Sequence, residues 1–118
     1  SVLAADTDAF AIAAIGLNAA ANGVTVATTD RDPIGRDDGW DVVLAGDVCY
    51  ERPMADRVTG WLAGLAARGA RVLIGDPGRA YLPKDRLVAL AHYMVPTTAA
   101  LEDHAVRRTA VWTFRVDP

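Results

Sequence analysis

The sequence of 118 residues is poor in cysteine, in long apolar runs and in clustered positive charge, and each shortage excludes a class of protein. The single cysteine, Cys49, excludes an internal disulfide and favours a reducing compartment, so we expect a cytoplasmic protein. No apolar run approaches the ~18 residues of a membrane span, and the apolar stretch 9–21 lacks the basic segment of a signal peptide. The net charge of -3, without a basic cluster, gives no electrostatic indication of nucleic-acid binding.

Two further sequence features are missing, and they exclude two other classes. No Gly-x-Gly-x-x-Gly occurs, which disfavours a nicotinamide-dinucleotide domain. A receiver-type signalling domain needs a lysine after a late strand, but the only lysine, Lys84, lies where we expect a helix to begin. His92 and His104 are too far apart in sequence to suggest a metal pair, so we expect no metal site. Arginine outnumbers lysine eleven to one, a bias typical of GC-rich bacterial genomes.

What the chain does have is an alternation of short apolar runs with helical segments, which predicts an α/β fold with a doubly wound sheet. We expect strands at 2–5, 24–27, 41–45, 70–74, 94–98 and 108–116, and helices at 9–21, 53–69 and 83–92. The first helix is apolar on most sides, so we expect it to be largely buried. The run 41–45 indicates a buried parallel strand, whereas the alternation in 108–116 indicates an antiparallel one.

The residues that follow the strand 41–45 carry the strongest indication of function. Asp47 and Tyr50 come directly after it, and in open α/β sheets ligands bind beyond the carboxyl ends of the strands. A structural interpretation stays open, because an aspartate at a strand end often forms a turn or caps a helix. Tyr50 is likewise explained by a half-buried ring that packs against the turn. We expect Cys49 between them to be a small buried side chain.

Three segments together resemble one enzyme family. Residues 4–24 are similar to the second strand and helix of class I S-adenosylmethionine-dependent methyltransferases, and Gly46-Asp-Val-Cys-Tyr50 is similar to their fourth-strand motif. The Asp-x-x-Tyr form resembles the seven-strand protein lysine methyltransferases. With Gly75-Asp-Pro-Gly-Arg79, it resembles the branch that methylates lysines of the electron transfer flavoprotein β-subunit, whose bacterial members are often labelled nicotinamide N-methyltransferase-like. The Asn-Pro-type fourth motif of ribosomal-protein methyltransferases is not present.

The resemblance implies a Rossmann-like doubly wound sheet with an antiparallel last strand. It implies that residues 1–118 are the carboxyl-terminal part of a single methyltransferase domain, without the family's first strand and Gly-rich loop. In the family's sheet, the missing first strand lies between the strands that correspond to residues 2–5 and 41–45. We therefore expect a gap in the sheet beside these two strands. A free-standing small domain with a rearranged sheet is the alternative. We expect the isolated fragment to be inactive.

The resemblance also implies S-adenosylmethionine as the cofactor and a lysine-bearing protein as the substrate, either the electron transfer flavoprotein β-subunit or a ribosomal protein. It assigns catalysis to Asp47, which can hold the amine in line with the methyl group, and to Tyr50, which can supply an oxygen or an aromatic face. Asp6 would take the ribose hydroxyls of the cofactor. The full set of expected cofactor contacts is Asp6, Asp30, Trp40, Gly46 and Asp47.

Several alternatives stay open at the level of the sequence. Trp40 is equally explained as a cover for the sheet edge, and Asp76 and Arg79 are expected to pair with each other or to shape the substrate mouth. A small-molecule amine N-methyltransferase on the same fold would differ only in its acceptor pocket. A non-catalytic Rossmann-like interaction module is the third possibility.

Overall fold

The computed structural model describes residues 1–96 and 106–116, and the chain divides into two compact units, 1–36 and 37–118. Its elements are β1 (Leu3–Ala5), α1 (Ala9–Ala21), β2 (Ala27–Thr29), β3 (Val42–Gly46), α2 (Arg52–Ala67), β4 (Arg71–Asp76), a 3-10 turn (Lys84–Arg86), β5 (Leu87–Pro96) and β6 (Val106–Phe114). The α/β class predicted from the sequence is confirmed, and the elements are compatible with a Rossmann-like fold. The single-domain assignment stays a prediction.

The first unit is a small β-α-β arrangement in which β1 and β2 pair in parallel. Asp8 caps the start of helix α1, and its side chain accepts a hydrogen bond from the amide of Phe10 at 2.9 Å. The helix ends at Asn22 and Gly23, and Gly23 has φ of 66°, the left-handed conformation that stops a helix. Both helix ends predicted from the sequence are therefore confirmed.

Two predictions for the first unit are wrong. No residue of α1 is buried among the described residues, and Phe10 is 87% exposed. The reason is size, since a helix of 13 residues is about 20 Å long and the three-residue strands beneath it span only about half of that. The strand expected at 24–27 begins instead at Ala27, because the amide of Val24 donates to the carbonyl of Ala19 and is used to close the helix.

The second unit is built on a four-stranded sheet in the order β3-β4-β6-β5. Strands β3 and β4 run parallel, with Val42 opposite Arg71 and Gly46 opposite Gly75. Strand β6 is antiparallel to both of its neighbours, which confirms the prediction for the last strand. Strands β1 and β3 belong to different sheets, as the expected gap beside 2–5 and 41–45 requires.

The core of the second unit lies between α2 and one face of β4. Pro53 stands in the first turn of α2, and Gly69, with φ of 109°, follows its last turn, as the sequence predicted. The apolar stripe of α2 covers the alternate residues of β4 that point toward it. The largest buried apolar side chains of the second unit are Val58, Leu62, Leu65, Val72, Ile74, Leu82 and Leu87.

The prediction that the run 41–45 is a fully buried strand is wrong for the described residues. Its side chains alternate, and Leu44 is 73% exposed while its neighbours Val43 and Ala45 are half-buried. The physical reason is position, because β3 is an edge strand of its sheet and only one face of that sheet is covered by a helix.

The helix predicted at 83–92 is also wrong. Residues Lys84–Arg86 form one 3-10 turn, and the chain then continues as the ten-residue strand β5. Strand β5 pairs with β6 along its whole length, from Leu87 opposite Phe114 to Pro96 opposite Val106. The cross-strand pairing overrides the local helix preference of the Leu- and Ala-rich segment. The strand expected at 94–98 overlaps the end of β5, and residues 97 and 98 lie outside the described residues.

Within the described part of the chain, the model contains no helix with the length and apolarity needed to cross a membrane.

Candidate functional site

Asp47 stands immediately after β3, at the carboxyl end of the parallel strand pair. Its backbone has φ of 48°, and it is the only non-glycine residue with positive φ among the described residues. Its amide donates a 2.8 Å hydrogen bond to the carbonyl of Gly75, the last-but-one residue of β4. The chain thus turns away from the sheet with a tightly fixed backbone, and a side chain in such a conformation is a candidate for function.

The carboxylate of Asp47 is held by Arg79 in a two-point ion pair. The guanidinium donates from Nε to Oδ1 at 2.8 Å and from its terminal nitrogen to Oδ2 at 2.9 Å. These hydrogen bonds hold the pKa of Asp47 below its ordinary value of 3.8, against a smaller opposing effect of burial. Asp47 is therefore ionised at neutral pH and acts as a pure acceptor, while roughly half of its side chain stays exposed (46%).

Asp76 fixes the loop that carries Arg79. This residue ends β4, is 2% exposed, and accepts hydrogen bonds through Oδ2 from the amides of Gly78 and Arg79 at 2.7 and 2.8 Å. Asp76 and Arg79 therefore contact each other through the amide of Arg79, while the arginine side chain turns to Asp47. The contact of Arg79 with Asp47 was not predicted from the sequence. Arg79 follows β4, and β4 is the strand that pairs with β3, which Asp47 follows. This neighbouring position is the feature of the sequence that could have indicated the contact between the two side chains.

Gly46 and Tyr50 flank Asp47 on the chain. A Cβ built on Gly46 meets no heavy atom within 4 Å, so packing does not require a glycine there. Tyr50 is 56% exposed, more than a ring packed into the turn would be. The structure therefore brings Gly46, Asp47, Tyr50 and Arg79 to one end of the second unit's sheet.

Cys49, between Asp47 and Tyr50, is fully buried, in agreement with the predicted small buried side chain. Burial, assisted by the charges of Asp76 and Asp47, raises the pKa of its thiol from 9.0 to about 11. We expect the native protein to react with a thiol-specific disulfide reagent at pH 8 only as fast as it unfolds. The thiol is inaccessible to the reagent, and only a small fraction of it is ionised at that pH. The urea-unfolded protein, as the control, should react at once; prompt labelling of the native protein would contradict the burial of Cys49.

The Asp47–Arg79 pair makes a prediction for pH dependence. Because the folded pKa of Asp47 is lowered, the pair stabilises the fold above the ordinary value of 3.8, and that contribution is lost as the pH falls through the folded pKa. In Arg79→Gln, the pKa of Asp47 should rise toward 3.8 in a titration followed by the carboxyl ¹³C shift. The matched control is Arg68→Gln, since Arg68 forms the same two-point pair with Asp37. The control should raise the pKa of Asp37 alone; an unchanged pKa of Asp47 in Arg79→Gln would contradict the pairing.

In the first unit, Asp6 and Asp30 follow the carboxyl ends of the paired strands β1 and β2. The amide of Asp6 donates to the carbonyl of Thr29 at 3.2 Å, so the two strand ends are adjacent. Asp6 is exposed, and its Oδ1 accepts from the amide of Asp8 at 2.9 Å. Asp8 itself caps α1. Asp6 thus combines a fixed position with an acceptor-only carboxylate, the chemistry needed for a pair of hydroxyl donors.

Trp40 precedes β3 and lies at the opposite end of that strand from Asp47. Its half-buried ring packs edge-on against Trp61 of α2, with the ring centroids 6.3 Å apart and the planes at 85°. Its carbonyl also accepts a hydrogen bond from Arg68 at 2.8 Å. This placement favours the alternative kept open for Trp40, a side chain that covers the sheet.

No group of three or more His, Cys, Asp or Glu side chains with metal-binding geometry occurs in the described part of the chain.

Comparison with known proteins finds relatives of this chain. No family model matches the chain. It is 34% identical over 124 residues to the electron transfer flavoprotein β-subunit lysine methyltransferase of Danio rerio, an alignment that covers 99% of this chain and 48% of that protein. The proteins of the same name in Xenopus laevis and Rattus norvegicus are 33% and 34% identical over 96% and 97% of the chain, again about half of their own length. The resemblance predicted from the motifs is confirmed: over nearly its whole length, the chain is similar to about half of the electron transfer flavoprotein β-subunit lysine methyltransferases.

Proposed function

We propose that these residues form part of an S-adenosylmethionine-dependent N-methyltransferase that acts on lysine side chains of a protein. The observation that carries the proposal is the ionised carboxylate of Asp47, which its backbone conformation and Arg79 fix at the carboxyl end of β3. The names of the relatives support the class of enzyme and suggest the electron transfer flavoprotein β-subunit as the acceptor protein. Because the chain spans about half the length of those relatives, activity and substrate both belong to this proposal.

Asp47 acts by orientation and charge rather than as a strong base. Its lowered pKa makes it a poor acceptor of a full proton, whereas an amine of pKa ~10.4 readily donates a hydrogen bond to it. Arg79 occupies one position on each carboxylate oxygen, and each oxygen keeps a further lone pair for the amine. Once the ammonium has lost its proton to solvent, the carboxylate would hold the nitrogen lone pair toward the methyl group of a bound cofactor and stabilise the positive charge that develops on nitrogen.

Tyr50 is proposed to complete the amine site. Its exposed ring, three residues after Asp47, offers a phenol oxygen that accepts a second N–H and an aromatic face that attracts the cationic product. Two acceptors on one nitrogen restrict its rotation, so the lone pair is directed more precisely than by Asp47 alone.

The residues of the first unit fit the cofactor. The exposed carboxylate of Asp6, held by the amide of Asp8, has the acceptor chemistry that paired ribose hydroxyls require, and Asp30 follows the adjacent strand end. S-adenosylmethionine supplies an electrophilic methyl group when it is bound. The exposed apolar side chains of α1, in the first unit, and the open edge of β3, in the second, each leave a surface that a longer chain would cover. A cytoplasmic location and a bacterial source stay predictions.

The proposal is tested by an acceptor assay with the full-length protein. Labelled S-adenosylmethionine is incubated with the enzyme and either the electron transfer flavoprotein β-subunit or a panel of small amines, nicotinamide included. We expect label in the protein fraction only. Label confined to the small amines would favour the small-molecule alternative, and the absence of both transfer and cofactor binding would favour the interaction module.

A further inference from the structure

The hairpin of β5 and β6 extends beyond the carboxyl ends of the parallel strands. Strand β4 ends opposite Ala110 of β6, whereas β6 pairs with β5 as far as its own first residue, Val106. Residues 106–109, about 13 Å of strand, therefore project past the edge of the sheet at which Asp47 lies. We call residues 92–96 of β5 and 106–109 of β6 the arm.

The two faces of the arm carry different arginines. Side chains alternate along a strand, so Arg107 lies on the face of the sheet to which Gly46 and Gly75 belong. Arg108 lies on the opposite face, together with Asp76, and both line the same small cavity there. The face of Arg107 is therefore the one that continues from the glycines at the strand ends, directly before Asp47.

The positive charge of Arg107 acts on Asp47. The pKa of Asp47 is lowered chiefly by the hydrogen bonds from Arg79, and the charge of Arg107 contributes to the lowering. Two strand spacings across the sheet and three residues along β6 separate the two Cα atoms, which amounts to roughly 14 Å. The exposed side chain of Arg107 thus stands within electrostatic reach of the proposed amine site.

The charge of Arg107 is not neutralised within the described part of the chain. Asp47 is already engaged by Arg79, and no other described carboxylate forms an ion pair with Arg107. Strands β5 and β6 themselves contain no Asp or Glu. Because the charges of Asp47 and Arg79 cancel, the charge of Arg107 is left to oppose the approach of a cationic lysine side chain.

A carboxylate near the target lysine in the acceptor protein removes this opposition. The lysine then lies at Asp47 and the carboxylate at Arg107, so that each charge of the acceptor meets its opposite. Tyr93 and Val95 are exposed on the same face of the arm as Arg107, and they provide an apolar surface for the segment between the two charges.

We propose that Arg107 binds an acidic side chain of the acceptor protein that lies about two to four residues from the target lysine. The spacing follows from the distance between Arg107 and Asp47, since an extended chain rises about 3.3 Å per residue and the side chains shorten the span. This inference rests on the proposed function, and it makes Arg107 a specificity-determining residue of the amine site.

The test uses the full-length protein with synthetic peptides that contain one lysine among neutral residues. A single glutamate is placed at each position within four residues of the lysine, and the peptide with glutamine at the same position is its reference. We expect the wild-type KM for the best glutamate peptide to be roughly two- to fivefold lower at similar kcat, as for an exposed ion pair, and the difference to shrink in high salt. Equal KM values for every glutamate peptide and its reference would overturn the proposal.

Substitutions at Arg107 identify the residue that recognises the acid. Arg107→Gln should abolish the preference for glutamate, Arg107→Lys should keep most of it, and Arg107→Glu should reverse it in favour of an arginine peptide. The matched control is Arg108→Gln, which removes the same charge from the opposite face of the arm and should keep the preference. A preference that persists in Arg107→Gln, or that is lost equally in Arg108→Gln, would contradict the assignment.

Two further measurements separate this proposal from the proposed function and from a cofactor contact. Binding of the same peptides, followed by fluorescence anisotropy, tests the glutamate preference even if no methyl group is transferred. Preference without transfer would refute the proposed function alone, whereas transfer without preference would refute the role of Arg107 alone. Calorimetry should give the same affinity for S-adenosylmethionine in the wild type and in Arg107→Gln; a loss in the variant would assign Arg107 to the cofactor's carboxylate and overturn the proposal.

Discussion

Asp47→Asn is expected to reduce methyl transfer by roughly 10²–10³-fold in the full-length protein, the range for removing one group that stabilises developing charge. The asparagine keeps the shape of the side chain and tolerates the φ of 48°, which alanine would strain. It removes the negative charge that faces the amine, and with it most of the ion pair to Arg79. Transfer is measured with labelled S-adenosylmethionine, and the circular dichroism spectrum should be unchanged.

The matched control for this variant is Asp37→Asn. Asp37 forms an equivalent two-point pair with Arg68, at 2.6 and 2.8 Å, and is exposed to a similar degree, 41% against 46% for Asp47. It stands before β3 rather than after it, so the control should keep normal activity. Near-normal turnover of Asp47→Asn, or an equal loss in Asp37→Asn, would show that the effect comes from losing a surface ion pair and not from the amine site.

Asp6→Ala is expected to weaken S-adenosylmethionine binding by about 1.5–3 kcal/mol, which is roughly 10- to 150-fold, because hydrogen bonds to a charged group are lost. The affinity of the full-length protein is measured by calorimetry. Asp8→Ala is the comparison variant, since Asp8 caps α1 and should change the stability of that helix more than the cofactor affinity. Unchanged affinity in Asp6→Ala together with a loss in Asp8→Ala would move the ribose contact to Asp8.

The features that the sequence predicts well are those that depend on residues close to one another in the chain. Asp8 caps α1 and Gly23 stops it because a side-chain acceptor and a residue free to adopt positive φ are needed at those positions. The antiparallel strand β6 is predicted by its alternation. Asp47 is predicted because the first polar residue after an apolar strand lies at the sheet's ligand-binding edge.

The features that the sequence does not predict depend on partners distant in the chain. Strand β5 replaces the expected helix because β6, across the intervening segment, pairs with it. The contact of Arg79 with Asp47 follows from the register that sets Gly46 opposite Gly75, and that register is a property of the sheet.

The most direct test of the account is tandem mass spectrometry of the proposed acceptor protein after incubation with S-adenosylmethionine and the full-length enzyme. The account predicts methyl groups on lysine ε-nitrogens with the wild-type enzyme and their near absence with Asp47→Asn. Methylation at residues other than lysine, or equal lysine methylation by the wild type and Asp47→Asn, would contradict it.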